Sequence, residues 1–458
     1  MAVQFILGRS GTGKTSYCIN GVVEALLEKA GTQPLILLVP EQATYQAERA
    51  VLSDKRIGGY SRLHILSFDR LQFLLSGRNT ARPALSRIGQ QMAVQRILRE
   101  HRDELKAFEP SADYTGLGRQ MAETIAELHQ YAKTSDDIER LLCELKKNKH
   151  NNLAALKFGD IALVFREYLR FIEDKFIDPD VQLTAACCSV AKAEFLKGAK
   201  LWVDGFAGFT AAELALLTEL LKVVAEAHIA LCLDWSRIDL VNPDAAKIDP
   251  ADLFSPTERT YADLVERIRG CKLKLLRPVE LKKAVRFNSC QPLAHIERNI
   301  FEPEPKKIPA GDNVRIISAP DARSEAEFAA REITRLVRKK NYRYRDIAVI
   351  ASDIDRYEHY IRACFDDYRL PFFIDKRRPL DQHPVVHLIC SAIGTVANGF
   401  TKNDIFTYLK TDLVPIGRSD VDMLENYCVA FGVSSGDWQN DKDWHFQGER
   451  TRNLMSSE

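Results

Sequence analysis

The first eighty residues alternate between short apolar runs and amphipathic stretches. VQFIL, PLILLVP and RLHILSF are too short for helices and predict buried strands. Between them Val22, Val23, Leu26 and Leu27 recur at helical spacing, and further helices are predicted from about Gln42 and from about Asp69. This alternation is the sign of a parallel sheet with crossover helices. From Ser86 to about Leu196 the spacing is helical throughout, as in Met121, Ile125 and Leu128 and again in Ile161, Phe165, Tyr168 and Ile172. Ser135 is predicted to cap the helix IERLL there. Strands return at KLWVDGF and HIALCLDW, on either side of the apolar helix ALLTELLKVV, which Thr210 and Glu213 open in capping-box spacing. Residues 236 to 311 read as irregular. A second strand and helix alternation then follows: NVRIISA, a long helix from about Ser324 to Lys340, DIAVIAS, a helix from about Ile354, PFFID and a helix after His383. Helical spacing continues from Thr401 until the pattern stops at LMSSE.

A chain of 458 residues is too long for one ordinary core, and length suggests about three domains. Lys and Arg total 64 against 63 for Asp and Glu, so a nucleic-acid site must come from local charge placement. MAVQFIL lacks a basic segment and a long apolar core, and no run is long enough to span a bilayer; a cytoplasmic protein without membrane attachment is expected. The ten cysteines contain no CxxC and read as core thiols. His383 and His387 stand four apart without an acidic partner between them, and no metal site is expected there.

GRSGTGKT, directly after the first strand, carries the chemistry. In the pattern GxxxxGKT, small residues let backbone N–H groups wrap a phosphate, the lysine reaches the terminal phosphates and the hydroxyl holds Mg2+. Gly8, Arg9, Ser10, Gly11, Thr12, Gly13, Lys14 and Thr15 are therefore expected to bind ATP and Mg2+ at the N-terminus of the following helix. Turnover also needs an Asp at a later strand end for Mg2+ and a group that positions the attacking water. Asp204 in LWVDGF is the first candidate for the Asp and Asp234 in LCLDW the second; the residues that follow them, Gly205 and Trp235, offer no carboxylate for the water.

The order of these motifs, with LVPEQAT, LSFDRL, VDGFAGFT, YRYRDIAVIAS, LPFFID and HPVV, resembles the UvrD-like superfamily 1 helicase core. It resembles more closely the AddB family, one of the two components of the bacterial AddAB helicase-nucleases. The resemblance runs over essentially the whole chain. It implies an α/β fold of two RecA-like P-loop domains, each a parallel sheet with crossover helices, carrying helical insertions. Residues 1–84 and 197–236 are expected to form the first RecA-like domain around a helical insertion at 85–196. Residues 237–311 would connect it to a second RecA-like domain at 312–400, and 401–458 would begin a further helical insertion. Active relatives read DEFQDT where this chain has Asp204, Gly205, Phe206, Ala207, Gly208, Phe209 and Thr210; their later Gln falls at Glu213, and an Arg that contacts the γ-phosphate falls at Ser352. A motor that retains ATP but does not unwind is implied, with unwinding supplied by an AddA-type partner.

The family's disabled helicase channel implies single-stranded DNA recognition, including the Chi sequence, on double-strand DNA ends. Gln42, Thr44, Phe68, Arg70, Phe73 and Phe206 lie at strand ends where α/β folds bind ligands and are the expected DNA contacts. RKKNYRYR, at a helix C-terminus, and the basic run from Arg267 to Arg286 are expected to be solvated or, for the second, a contact to the partner. The family's nuclease domain and iron-sulfur cluster have no counterpart residues here, which implies an N-terminal fragment or a truncated reading frame. Two alternatives stand beside this reading: an active superfamily 1 motor using Glu213 as its acid, and a P-loop small-molecule kinase with a helical lid.

Overall fold

Every strand predicted before residue 236 forms. The computed structural model describes residues 2–28, 31–76, 82–131, 133–147, 152–173, 175–309, 311–376 and 380–440 and residue 444; LMSSE lies outside them. Strands β1 (Ala2–Gly8), β2 (Leu35–Leu38), β3 (Leu63–Leu66), β4 (Lys200–Val203) and β5 (Glu226–Cys232) pair in parallel, and the two-residue strands β6 (Lys274–Leu275) and β7 (Val279–Glu280) lie beside β1. The order is β3-β2-β4-β5-β1-β6, with β7 also on β1. Leu38 stands opposite both Leu66 and Val203, Val203 opposite Ile229, and Gly8 opposite Cys232. The C-terminal ends of five strands therefore share one edge. β2 is buried at every position, as a parallel strand covered on both faces must be.

Helices α1 (Lys14–Leu27), α2 (Thr44–Leu52) and α3 (Phe68–Ser76) follow the first three strands. A helical block then interrupts the sheet: α4 (Arg87–Glu100), α5 (Thr115–Gln130), α6 (Ser135–Lys147), α7 (Asn152–Ile172) and α8 (Pro179–Val190). Val94, Leu98, Met121, Val164, Phe165 and Tyr168 build its core. The cap of α6 is Thr134, one residue before the predicted Ser135. Thr134 Oγ1 accepts from Asp137 N–H, and Asp137 returns a carboxylate to the Thr134 N–H at 3.0 Å, a reciprocal pair that only this spacing allows. The buried Asp160 of α7 staples the loop after α4, accepting from the N–H groups of Lys106 (2.9 Å), Ala107 (2.8 Å) and Phe108 (2.9 Å). Helix α9 (Ala211–Val223) opens with the predicted capping box between Thr210 and Glu213.

Residues 237–311 are not irregular. They contain α10 (Ser255–Gly270) and α11 (Gln291–Asn299) as well as β6 and β7, and they belong to the first of two compact units, Met1–Arg315. Tyr261, Leu264, Val265 and Ile268 of α10 are buried, and the Tyr261 ring meets Phe5 edge-on at 4.8 Å. Their spacing is helical, a signal overlooked among the prolines and cations around it.

The second unit, Ile316–Glu458, contains α12 (Ala322–Lys340), α13 (Ile354–Asp367), α14 (Pro384–Ala397), α15 (Lys402–Leu409) and α16 (Arg418–Phe431). Ala330, Ile333, Ile361 and Phe365 pack α12 on α13. The predicted strands NVRIISA, DIAVIAS and PFFID do not form: these runs have no ladder partner among the described residues, and Ile316, Ile350 and Phe373 are exposed. A strand exists only by its neighbour's hydrogen bonds, and an apolar run alone does not supply them. Asn341 ends α12 in the left-handed conformation, and Arg343 pairs with Asp346, so RKKNYRYR forms an exposed turn. His383 caps α14, accepting from Val385 N–H at 3.3 Å. No helix among the described residues is long and apolar enough to cross a membrane.

Removing the Asp160 staple takes the acceptor from three partly buried N–H bonds. Asp160→Ala should lower stability by about 2–4 kcal/mol, read by thermal unfolding, and Asp160→Asn, which keeps one carbonyl oxygen, should lose less.

Candidate functional site

The turn between β1 and α1 is shaped by glycine. Gly11 and Gly13 have φ of 74° and 92°, left-handed values that side chains resist. A Cβ on Gly8 would lie 2.4 Å from Thr12 Oγ1, so the loop closes on itself only without one. Helix α1 begins at Lys14 with no side-chain cap and no acid in its first turn. Its free N–H groups and the helix dipole favour an anion there. Lys14 Nζ donates to the carbonyls of Gly8 (2.9 Å) and Arg9 (2.8 Å), at the mouth of the same loop. The residues present fit a phosphate chain.

Asp204 follows β4 on the same edge, 7% exposed, beside the Thr15 hydroxyl. Burial pushes its carboxyl above the ordinary range, against the nearby Thr15 hydroxyl, the charge of Lys14 and the Gly205 N–H. A buried carboxylate beside a hydroxyl is a setting that a hard cation such as Mg2+ relieves. Asp204, Lys14 and Thr15 are thus brought together as predicted. Asp234 is not part of this group. It pairs with Arg9 at 3.0 Å and bonds Ser236, which with the Arg9 charge outweigh its burial and hold its carboxyl below the usual range.

Gly205 follows Asp204 directly, at the position where the sequence resemblance predicts a Glu in an active motor. Its φ is 85°, and a Cβ there would sit 3.2 Å from the Pro40 ring. The backbone at this point is built for glycine. Glu213, the alternative acid, is engaged: its carboxylate accepts from Thr210 N–H at 2.7 Å as the helix cap. Ser352 lies exposed in the second unit.

Two residues that sequence reasoning passed over close the loop from the other side. Arg286 N–H donates to Gly11 O at 3.0 Å, and the Phe287 ring lies so close that a Cβ on Gly11 would be 2.7 Å from it. Arg286 ends the basic run from Arg267, for which a solvated face or a contact to the partner is the sequence expectation, and Phe287 follows it; an aromatic after a cation is the only signal. Beside the loop, between the ends of β5 and β7, opens a cleft of about 510 Å³ lined by Arg9, Thr12, Asp234, Trp235, Leu281 and Lys282.

The six expected DNA contacts divide. Gln42 is exposed in the turn before α2, and Arg70 is exposed in the first turn of α3. Phe73, 68% exposed, shares the Arg70 face three residues on. Thr44 is buried, its hydroxyl donating to Glu41 O at 2.9 Å. Phe68 is buried too, edge-on to Phe206 (5.4 Å) and Phe209 (6.0 Å), with Phe206 half-buried. The aromatics of two motifs, LSFDRL and VDGFAGFT, thus form one cluster under the edge, while Gln42, Arg70 and Phe73 face solvent above it.

Comparison with known proteins places the whole chain in one family. The N-terminal ADDB family model matches residues 5–297, and the UvrD-like helicase C-terminal domain model matches residues 283–457. Proteins named as the B component of an ATP-dependent helicase/deoxyribonuclease are similar over nearly the whole chain: 39% identity with that of Desulforudis audaxviator and 36% with that of Symbiobacterium thermophilum. The matches cover 98% and 97% of this chain and 38% of each relative, so the chain spans under two fifths of their length. The protein of Moorella thermoacetica is 36% identical over 98% of this chain and 39% of its own. With a family model covering residues 5 to 297 and relatives of this identity, the chain belongs to the AddB family, of which it carries the N-terminal region.

Proposed function

We propose that the chain is the nucleotide- and DNA-binding part of an AddB-type protein in an ATP-dependent helicase-nuclease that processes double-strand DNA ends for recombinational repair. ATP with Mg2+ binds at Gly8 to Thr15 and Asp204, single-stranded DNA runs across the strand-end edge, and an AddA-type partner supplies unwinding. On this reading residues 1–84 with 197–236 form a first RecA-like domain, extended by the sheet edge at 274–280, and the helices within 312–400 belong to the UvrD-like region that follows it. On the same reading the complex works in the cytoplasm.

One observation carries the motor-inactive part: Asp204, beside the phosphate loop, is followed at once by Gly205, whose left-handed backbone strains any side chain, a water-positioning carboxylate included. Loss of such a group costs several kcal/mol of barrier. The active-motor alternative needs Glu213, which caps α9 instead. The kinase alternative has no use for the UvrD-like region after residue 283.

The chain should bind ATP with Mg2+, lose that binding in Lys14→Ala, and hydrolyse ATP with single-stranded DNA far below the roughly 10 per second usual for enzymes; ordinary DNA-stimulated turnover overturns the proposal. Gly205→Glu should not raise turnover and should destabilise the fold by about 1–2 kcal/mol, because the new side chain meets a positive φ and Pro40.

Recognition of bases rests on the exposed polar groups of the edge, since guanidinium and amide side chains match base edges. In the assembled two-component complex, Arg70→Ala or Gln42→Ala should reduce the preference for Chi over a scrambled strand by about 1–3 kcal/mol per lost contact, with bulk DNA affinity kept. Phe68→Leu should act through packing and lower stability. Full discrimination in both polar variants would move the recognition site elsewhere.

A further inference from the structure

The pattern GxxxxGKT leaves its second position open, and here Arg9 occupies it. Its guanidinium turns away from Lys14. Nη1 donates to Asp234 Oδ2 at 3.0 Å, Nε to Glu297 Oε1 at 3.1 Å, and Nη2 to the Glu297 carbonyl at 2.7 Å, while the group lies 5.2 Å from the centre of the Phe254 ring. The three charged side chains are only 15–18% exposed. Three elements converge on one cation: the end of β5, the start of α10 and the body of α11.

The carbonyl of the same residue is where the loop's internal bonds meet. Arg9 O accepts from Lys14 Nζ (2.8 Å) and from Thr12 Oγ1 (2.8 Å). Whatever fixes Arg9 therefore fixes where Lys14 waits and how the backbone between Arg9 and Thr12 is turned. The clamp also sets one positive charge against two carboxylates that would otherwise stand unpaired beside a site for a polyanion. Charge of that sign near a phosphate weakens binding, and a loop held in its binding shape strengthens it.

We infer that Asp234 and Glu297 are positioning residues for the nucleotide loop and act through Arg9, so that α11, far along the chain, sets the affinity of the site for nucleoside phosphates. This rests on the proposal that the loop binds nucleotide. Nothing in the motif requires these acids; they are recognisable only once α11 is folded against the loop.

The test measures ADP with Mg2+ binding to the full chain by calorimetry, alongside thermal unfolding without nucleotide. Arg9→Met should weaken ADP binding about tenfold and Glu297→Ala about fivefold, within the range of coupled partly buried pairs. The double variant should be no weaker than Arg9→Met, because the acid has no loop to hold once its partner is gone. Losses that multiply, or wild-type affinity in either single variant, overturn the inference. If Arg9→Met does not fold, Arg9→Lys and Glu297→Gln decide: each should weaken ADP binding severalfold at an unchanged unfolding midpoint, and unchanged affinity in both overturns it. Lys14→Ala separates the two levels. Wild-type ADP binding in Lys14→Ala removes the nucleotide site itself, whereas its loss there with full affinity in the Arg9 and Glu297 variants removes only the clamp.

Discussion

The parallel pairing of β1 with β5, from Ala2 opposite Glu226 to Gly8 opposite Cys232, is the constraint on which the rest of the first unit hangs. Two strands separated by more than two hundred residues can be neighbours only if the intervening chain returns to the same end of the sheet. The helices α1 to α9 make those returns, and an entire helical block is accommodated in one of them without disturbing the register. The common register has a second consequence. Because all paired strands run the same way, Gly8, Val39, Ser67, Asp204 and Asp234 emerge on one edge, and the glycine loop, the buried Asp204 and the exposed polar residues share it.

Three acids reach that edge or its neighbourhood, and their surroundings give them separate work. Asp204 is buried next to Thr15 and Lys14, so its charge is costly without a cation. Asp234 is offset by Arg9 and Ser236, so its charge is already satisfied. Glu213 holds the first turn of α9. Strand ends in the sequence mark the two aspartates equally and the capping spacing marks Glu213, yet only partners decide what each acid can do.

Most of the first unit is legible in the sequence because buried parallel strands and amphipathic helices are local patterns: β1 to β5, α1 to α3 and the Thr210 box all stand where periodicity puts them. Less is legible where an element depends on a distant partner. NVRIISA, DIAVIAS and PFFID have strand composition yet no ladder, and β6 and β7 have almost no strand signal yet join β1. The site divides in the same way. Lys14, Thr15 and Asp204 follow from motif and strand end, whereas Phe287, Glu297 and the grip on Arg9 come from the segment between 237 and 311, which has no legible pattern beyond the stripe of α10.

On the proposed reading, that division explains how a phosphate loop persists beside a site without a water-positioning acid. Binding and turnover draw on different parts of the fold. The cradle is held by the β1 strand, by Arg286 and Phe287 across Gly11, and by the Arg9 clamp. Gly205 instead answers to Pro40 and to the aromatic cluster of Phe68, Phe206 and Phe209, which underlies the exposed Gln42 and Arg70. A left-handed glycine lets the chain turn directly after Asp204 and places Phe206 in that cluster. The left-handed conformation that strains any side chain at Gly205 is therefore the one that places Phe206 under the proposed DNA-facing edge. On the proposed reading, reversing one would cost the other.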